Sequence, residues 1–285
     1  MHAKTKIIAF VDIVGFTALV EAAEAAGGDF SRALELAGAL GSAADSDRFK
    51  AHGPTTCPGS AYIQRDLDFQ VTQISDCVVI SVEVSPAGVS NLISHCFGIA
   101  INLLAKNALC RGYVTMGSIH HAHGQFIGTG YMHAYRAERD VAFLRADASE
   151  GGTPFIQIDQ SVLDYVRDET DSCVRMMFER VTRSDGGYTA IYPFKALAKS
   201  PSAIITRDFD MVGFRDKVRL SIGYREENLR TLREAEAAAP DERDKAKVRH
   251  YARGMEEVIA QLRAKEAMVQ SFIDNGHAPI GMGIA

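Results

Sequence analysis

Ile7-Ile8-Ala9-Phe10-Val11-Asp12-Ile13-Val14-Gly15-Phe16-Thr17 decides how this chain folds. The apolar run Ile7–Val11 is too short for a helix and predicts a buried strand. One carboxylate, Asp12, interrupts it. Gly15 then permits a sharp turn, and Thr17 is the expected N-cap of a helix over Ala18–Ala26. An acid at a strand end that turns straight into a helix has two chemical uses. The carboxylate can hold a divalent cation through oxygen, and the backbone N–H groups of Val14, Gly15, Phe16 and Thr17 can hold phosphate oxygens. The same acid can equally do no more than cap the helix that follows.

The bulk properties narrow the partners. A chain of 285 residues that is 47% hydrophobic can bury a full core. Its net charge of −5 gives no sign of a nucleic-acid-binding surface, so a small polyanionic ligand would need local positive charge or metal. The N-terminal Met1-His2-Ala3-Lys4-Thr5-Lys6 lacks the apolar core of a signal peptide. The longest apolar candidate for a membrane span, Val89–Leu109, is broken by Ser90, Asn91, Ser94, His95, Asn102, Lys106 and Asn107. No membrane insertion and a cytoplasmic location are therefore expected. Cys57, Cys77, Cys96, Cys110 and Cys173 are odd in number, scattered and without a CxxC pair, and read as reduced, mostly packing thiols.

Outward from the opening strand, apolar spacing at Phe30, Ala33, Leu34, Ala37 and Leu40 predicts a helix over Asp29–Ala44. Asp45–Asp66, with Gly53-Pro54 and Pro58-Gly59, reads as a loop. Phe69–Ile74 and Cys77–Val82 flank Ser75-Asp76, a hairpin with an acid at its tip. Ser85-Pro86 starts a helix to about Leu109. Arg111–Gly117 reads as a strand pairing with Gln125–Ile127 across the loop Ser118–Gly124. That loop carries His120, His121 and His123, which could bind a transition metal. A plain polar loop is preferred because no nearby Cys or acid completes a ligand set. A helix is expected within Gly128–Ala148, strands at Phe155–Ile158 and Val174–Phe178 around a helix over Gln160–Val166, and a last strand at Tyr188–Tyr192 with Arg180 and Arg183 in the preceding hairpin. From Lys195 the composition shifts to Glu, Arg, Lys and Ala. Coiled-coil-like spacing predicts helices over Arg215–Ala239 and Asp241–Ile273 around Pro240. Two domains follow, residues 1–195 and 196–285.

Phe10-Val11-Asp12-Ile13-Val14-Gly15-Phe16-Thr17 resembles the first metal-binding motif of the class III nucleotide cyclases. The resemblance extends over about Lys6–Pro193. It implies an α+β fold with a ferredoxin-like core, an antiparallel βαββαβ-type sheet with helices on one face, to which this chain adds its helical hairpin. It also implies two divalent cations, Mn²⁺ or Mg²⁺, held by Asp12, by the carbonyl of Ile13 and by Asp76, which stands where the family has Gly-Asp. The amides of Val14–Thr17 would cradle the triphosphate. Met132-His133-Ala134-Tyr135-Arg136 is similar to the family's Asn-x-Ala-Ala-Arg, which puts Arg136 at the transition-state arginine. Met132 replaces the ribose-orienting asparagine, whose task is absent or moved to Tyr131 or His133. Arg183 is a candidate for the family's phosphate-binding lysine. A homodimer with shared sites is implied, the metal aspartates coming from one subunit and Arg136 and the base readers from the other.

The base readers fall on Thr72 and Gln125, and neither purine pairing of the family is present. The Gln125 amide suits uracil in one orientation and cytosine in the other. With the Arg111-Gly112 strand and no sensor-module stretch, this is similar to the bacterial pyrimidine cyclases of Pycsar antiphage defence. The resemblance implies conversion of UTP to 3′,5′-cyclic UMP and pyrophosphate, the product activating a separate effector protein. Cytidylate or adenylate cyclase activity, or an inactive cyclase-like nucleotide- or partner-binding module, are the alternatives.

Overall fold

The computed structural model describes residues 2–55, 57, 59–146, 150–198 and 209–276. Two units divide the chain, Met1–Pro193 and Phe194–Ala285. The first is α+β. In chain order it runs β1 (Lys4–Ile13), α1 (Phe16–Ala25), α2 (Ser31–Ala37) with a short 3-10 turn after it, α3 (Ala43–His52), β2 (Phe69–Ile74), β3 (Cys77–Glu83), α4 (Pro86–Ala105), β4 (Cys110–Ala122), β5 (Gln125–Ile127), α5 (Thr129–Glu138), β6 (Ile156–Ile158), α6 (Gln160–Asp168), α7 (Ser172–Val181), β7 (Thr182–Asp185) and β8 (Tyr188–Ile191). The strands form one sheet in the order β2-β3-β1-β4-β6-β8-β7, with β5 paired to β4. Every pairing is antiparallel except β4 with β6.

The opening strand is interior to the sheet, and its two faces do different work. Ile7, Ala9, Val11 and Ile13 point into the main core with Leu92, Ile93, Cys96 and Ile99 of α4. Ile8 and Phe10 point the other way, into a smaller cluster with Val79, Ile119 and Ala134 of α5. Each fully buried side chain of this kind contributes roughly 1.5–3 kcal/mol. Helices therefore lie against both faces, not one. α5 comes very close to β4 because glycines meet: a Cβ on Gly117 would stand 2.6 Å from the Gly130 Cα.

Several local expectations change. Thr17 does not cap α1; Gly15 does, at φ 79 in the left-handed region, with no side-chain cap. Within the expected loop Asp45–Asp66, residues up to His52 belong to α3, where Ser42 and Asp45 form a capping box. Val174–Phe178 is part of α7 and not a strand: Asp171 caps it, and Val174, Phe178 and Val181 share its buried face. Arg180 therefore stands on a helix and Arg183 on β7. β4 runs on to Ala122, so His120 and His121 are strand residues and only His123-Gly124 turn. α5 ends at Glu138, short of the expected Ala148, and residues 147–148 lie outside the described ones. α4 is, by length and composition alone, long and apolar enough to cross a membrane, contrary to the sequence expectation; most of it is buried against the sheet.

In the second unit, α8 (Pro193–Leu197, its first residue in unit one) is followed by α9 (Met211–Ala238) and α10 (Glu242–Asn275). Val218, Ile222 and Leu232 of α9 and Tyr251, Met255, Val258, Leu262 and Val269 of α10 are buried, the spacing read from the sequence. Ion pairs Arg233–Glu256 and Arg263–Glu226 tie the two helices at the surface.

Candidate functional site

Two chain segments converge at one end of β1. Asp12 lies opposite Cys77 on β3 and opposite Arg111 on β4. The two residues between β2 and β3 are Ser75, at φ 53 in the left-handed region, and Asp76. The backbone carbonyl of Asp76 accepts from the Ile13 N–H at 3.0 Å, which fixes the hairpin tip against the end of β1. Asp76 is thereby held next to Asp12, and it is among the groups that raise the Asp12 carboxyl. Both are half-buried.

A third carboxylate closes the site. Glu138, the last residue of α5, is buried and forms an ion pair with Arg111. Burial, then Glu138 and Asp76, push the Asp12 carboxyl up to about 7, against the partial relief given by Arg111. The Cys77 thiol next to them is pushed up to about 11, by burial and then by Asp76, Asp12 and Glu138. Negative charge is thus gathered here with one guanidinium to balance it. Sequence reading missed Glu138 and Arg111 as members of the site. The available signal was Glu138 itself, a charge four residues after buried Ala134 on the sheet-facing side of α5.

After Asp12 the backbone turns at Gly15 into α1. A Cβ at Gly15 would meet nothing within 4 Å, so the glycine serves the left-handed turn rather than a tight contact. The amides of Gly15, Phe16 and Thr17 have no intrahelical acceptor by their place at the helix start. The expectation for Val14 is corrected: its N–H is already given to the Leu109 carbonyl at 2.9 Å.

The arrangement suits a hard divalent cation. Two adjacent carboxyls whose mutual repulsion is incompletely balanced would be relieved by one, and Mg²⁺ is commonly held by one or two carboxylates together with water and substrate phosphates. Among the described residues no group of three or more His, Cys, Asp or Glu side chains could hold a metal ion by themselves. Phosphate and backbone oxygens would have to supply the remaining ligands.

The other expected residues lie elsewhere. Thr72 is two strands from Asp12 on the same sheet face, opposite Val79, which is itself opposite Phe10; this separation is roughly 12 Å. The Thr72 hydroxyl is 2.9 Å from His121 Nε2, and His121 Nδ1 is 2.9 Å from the Ser81 hydroxyl. Gln125 is on the same β4–β5 hairpin as His121, one residue pair further along, with its side chain exposed. His121 is buried, and its desolvation together with Lys6 pulls its pKa down to about 4, so it is neutral and hydrogen-bonded on both nitrogens.

Arg136 is exposed. At about 100° per residue it is turned some 200° from both Ala134 and Glu138, the buried positions of α5, so it points away from its own chain's carboxylates. Met132 is also exposed, Tyr131 packs on Phe126 with ring centroids 4.6 Å apart, and His133 Nδ1 is 3.3 Å from the Thr115 hydroxyl. Arg183 stacks on Tyr192 at 4.9 Å and is on the edge strand β7. That is four strand spacings from β1, or roughly 19 Å, so the structure does not bring Arg183 to Asp12.

No family model and no curated protein matches the chain. Among solved structures it is similar to the catalytic core of a rhodopsin-guanylyl cyclase with converted specificity in complex with ATPαS, at 14% identity over 67% of this chain and 97% of that one, with a TM-score of 0.38. It is also similar to a class III adenylyl cyclase-like ATP-binding protein from Pseudomonas aeruginosa, at 13% identity over 57% of this chain and 35% of that one, with a TM-score of 0.34. The chemistry rests on the residues themselves.

Proposed function

We propose that this chain is a class III-type nucleotide cyclase that converts UTP to 3′,5′-cyclic UMP and pyrophosphate. The observation that carries the reading is the placing of Asp76 against the end of β1 at Asp12, by its carbonyl's hydrogen bond from Ile13, beside the glycine turn into α1. Asp12, Asp76 and the Ile13 carbonyl would hold two Mn²⁺ or Mg²⁺ ions. When bound, these supply charge neutralisation for the triphosphate and a lowered pKa for the ribose 3′-hydroxyl. The amides of Gly15, Phe16 and Thr17 bind phosphate oxygens at the start of α1. The 3′-oxygen attacks the α-phosphorus, the bond to the β-phosphate oxygen breaks, and pyrophosphate leaves.

Arg136 acts on the opposite subunit. Its outward direction supports a homodimer in which each site takes the aspartates from one chain and Arg136 from the other, where it stabilises charge on the α-phosphate. Thr72 and Gln125 read the base. The product serves as a second messenger for a separate effector in antiphage defence.

A second reading, a nucleotide-binding module without turnover, is favoured by the exposed Met132 where an orienting amide is expected. One experiment separates the readings. The purified chain is incubated with UTP, CTP, ATP and GTP together and Mn²⁺, and cyclic products are resolved by chromatography and mass. Cyclic UMP is the expected product. Cyclic CMP or cyclic AMP would overturn the base assignment, and nucleotide binding with no cyclic product would overturn catalysis.

A further inference from the structure

Cys57 and Cys173 are 116 positions apart in sequence, yet their Sγ atoms are 3.0 Å apart. That is about 1 Å beyond a covalent S–S bond of about 2.05 Å. All five cysteines are free thiols. The approach is built by its surroundings. Asn91 of α4 holds Thr55 at both backbone groups, accepting its N–H at 3.0 Å and donating to its carbonyl at 3.1 Å. Ser60 donates to Asp171, and Asp171 in turn caps α7 by accepting the Cys173 N–H at 2.9 Å. Cys57 is therefore seated between two docked residues, over the first turn of α7. Gly59 leaves the room, since a Cβ there would stand 3.3 Å from the Cys173 sulfur.

We infer that Cys57 and Cys173 are a redox modification site, which a low-molecular-weight disulfide converts into an intramolecular disulfide that fastens the segment after α3 to α7. Cys57 is the half-exposed member and Cys173 the buried one, so the oxidant meets Cys57 first. A small cavity lined by Thr55, Ser60, Tyr62 and Met177 lies beside the two sulfurs. The neighbouring Cys173 thiol and the Gly59 amide hold the Cys57 thiol below its usual range, while the same contact pushes Cys173 up to about 11. Cys57 thus ionises first, as an attacking thiolate must.

The exchange balances. The Cys57 thiolate attacks one sulfur of the small disulfide, forming a mixed disulfide and releasing one small thiolate. Cys173 then loses its proton and attacks the Cys57 sulfur, releasing the second. Both small thiolates take up the protons lost by the two cysteines. Two protein thiols are oxidised, and the small disulfide is reduced to two thiols. Asp12, Asp76 and Arg136 take no part, so this site is independent of the proposed catalysis.

The test uses the full-length wild-type chain and glutathione disulfide. Thiols are counted by alkylation in denaturant, and the products are mapped as unreduced peptides. Thiols should fall from five to three, with Cys57 joined to Cys173. The unfolding midpoint should rise by several degrees, because closing so long a loop restricts the unfolded chain. Dithiothreitol should reverse both changes. In the Cys173→Ser chain, glutathione should instead stay attached to Cys57. Five thiols remaining, a link between other cysteines, or a wild-type glutathione adduct that never closes would each overturn the inference. The wild-type mapping decides the matter even if a variant fails to fold.

Discussion

One face of the sheet has two polar ends, and they are built on opposite principles. At the Thr72 end, His121 is bonded at both nitrogens, and buried Lys6 is paired with Asp68 at 2.9 Å. At the Asp12 end, three carboxylates share one guanidinium, and Asp12 is pushed up to about 7. A satisfied polar group buried in a sheet holds its neighbours in place. An unbalanced one costs stability and persists where something else must balance it. One end satisfies its own polar groups and the other leaves charge for a ligand to balance, with Ile8 and Phe10 as the apolar floor between.

The largest expected effect comes from breaking the unbalanced end. Asp76→Ala and Asp12→Ala should each reduce cyclase turnover by roughly a thousandfold or more while leaving circular dichroism unchanged. A folded Asp76→Ala protein with full activity would remove the assignment. Next in size is complementation. Asp12→Ala and Arg136→Ala chains, each inactive alone, should regain roughly a quarter of wild-type activity when mixed under subunit exchange, because half the dimers are mixed and each has one intact site. Verified exchange without recovery would show that Arg136 serves its own chain or nothing.

The satisfied end should answer with stability. His121→Ala leaves the Thr72 and Ser81 hydroxyls unpartnered and should cost about 2–3 kcal/mol in denaturant unfolding. The pH dependence has a fixed sign. The folded-state pKa of His121 is about 4, below its unfolded 6.5, so the unfolded chain takes up the proton first. Its contribution is fully present above 6.5 and is lost as pH falls to about 4, and the His121→Ala chain should lack that part of the slope. The smallest effect is at Gln125, which is exposed in the single chain. Gln125→Ala should weaken discrimination among nucleotides by about tenfold or less, more than it slows UTP. Equal loss on every nucleotide would remove Gln125 from base reading.

The sequence was most legible where pattern and tertiary structure agree. The run Ile7–Val11, the hairpin around Ser75-Asp76, α4 and the spacing of α9 and α10 could each be read from local periodicity. Val174–Phe178 could not, because a short apolar run suits a strand or a helix and only the Asp171 cap decides it. α3 was hidden by the Gly53-Pro54 turn that follows it, although Ser42 and Asp45 carry its capping signal. The pairing of β4 with Gln125–Ile127 was legible but its register was not: the ladder runs through His120–Ala122, so His121 is a strand residue and the turn is only two residues long. Asp12 and Asp76 could be singled out as candidates in sequence. The rise of the Asp12 carboxyl could not, since it comes first from burial and then from Glu138, which only the tertiary placement of α5 brings there, and from Asp76.

Thermal unfolding with and without Mn²⁺ at pH 8, on the wild type and on Asp76→Asn, tests the unbalanced end most directly. The Asp12 carboxyl is raised from 3.8 to about 7 in the fold, so metal-free wild type should lose stability as pH rises through that window. At pH 8 that loss should be about 1–2 kcal/mol once solvent screening is allowed for. Asp76→Asn relieves part of it. The metal-free variant should therefore melt above metal-free wild type, and Mn²⁺ should raise the wild-type midpoint saturably while leaving the variant nearly unmoved. A variant that melts lower than wild type without metal, or gains as much from Mn²⁺, would contradict the account.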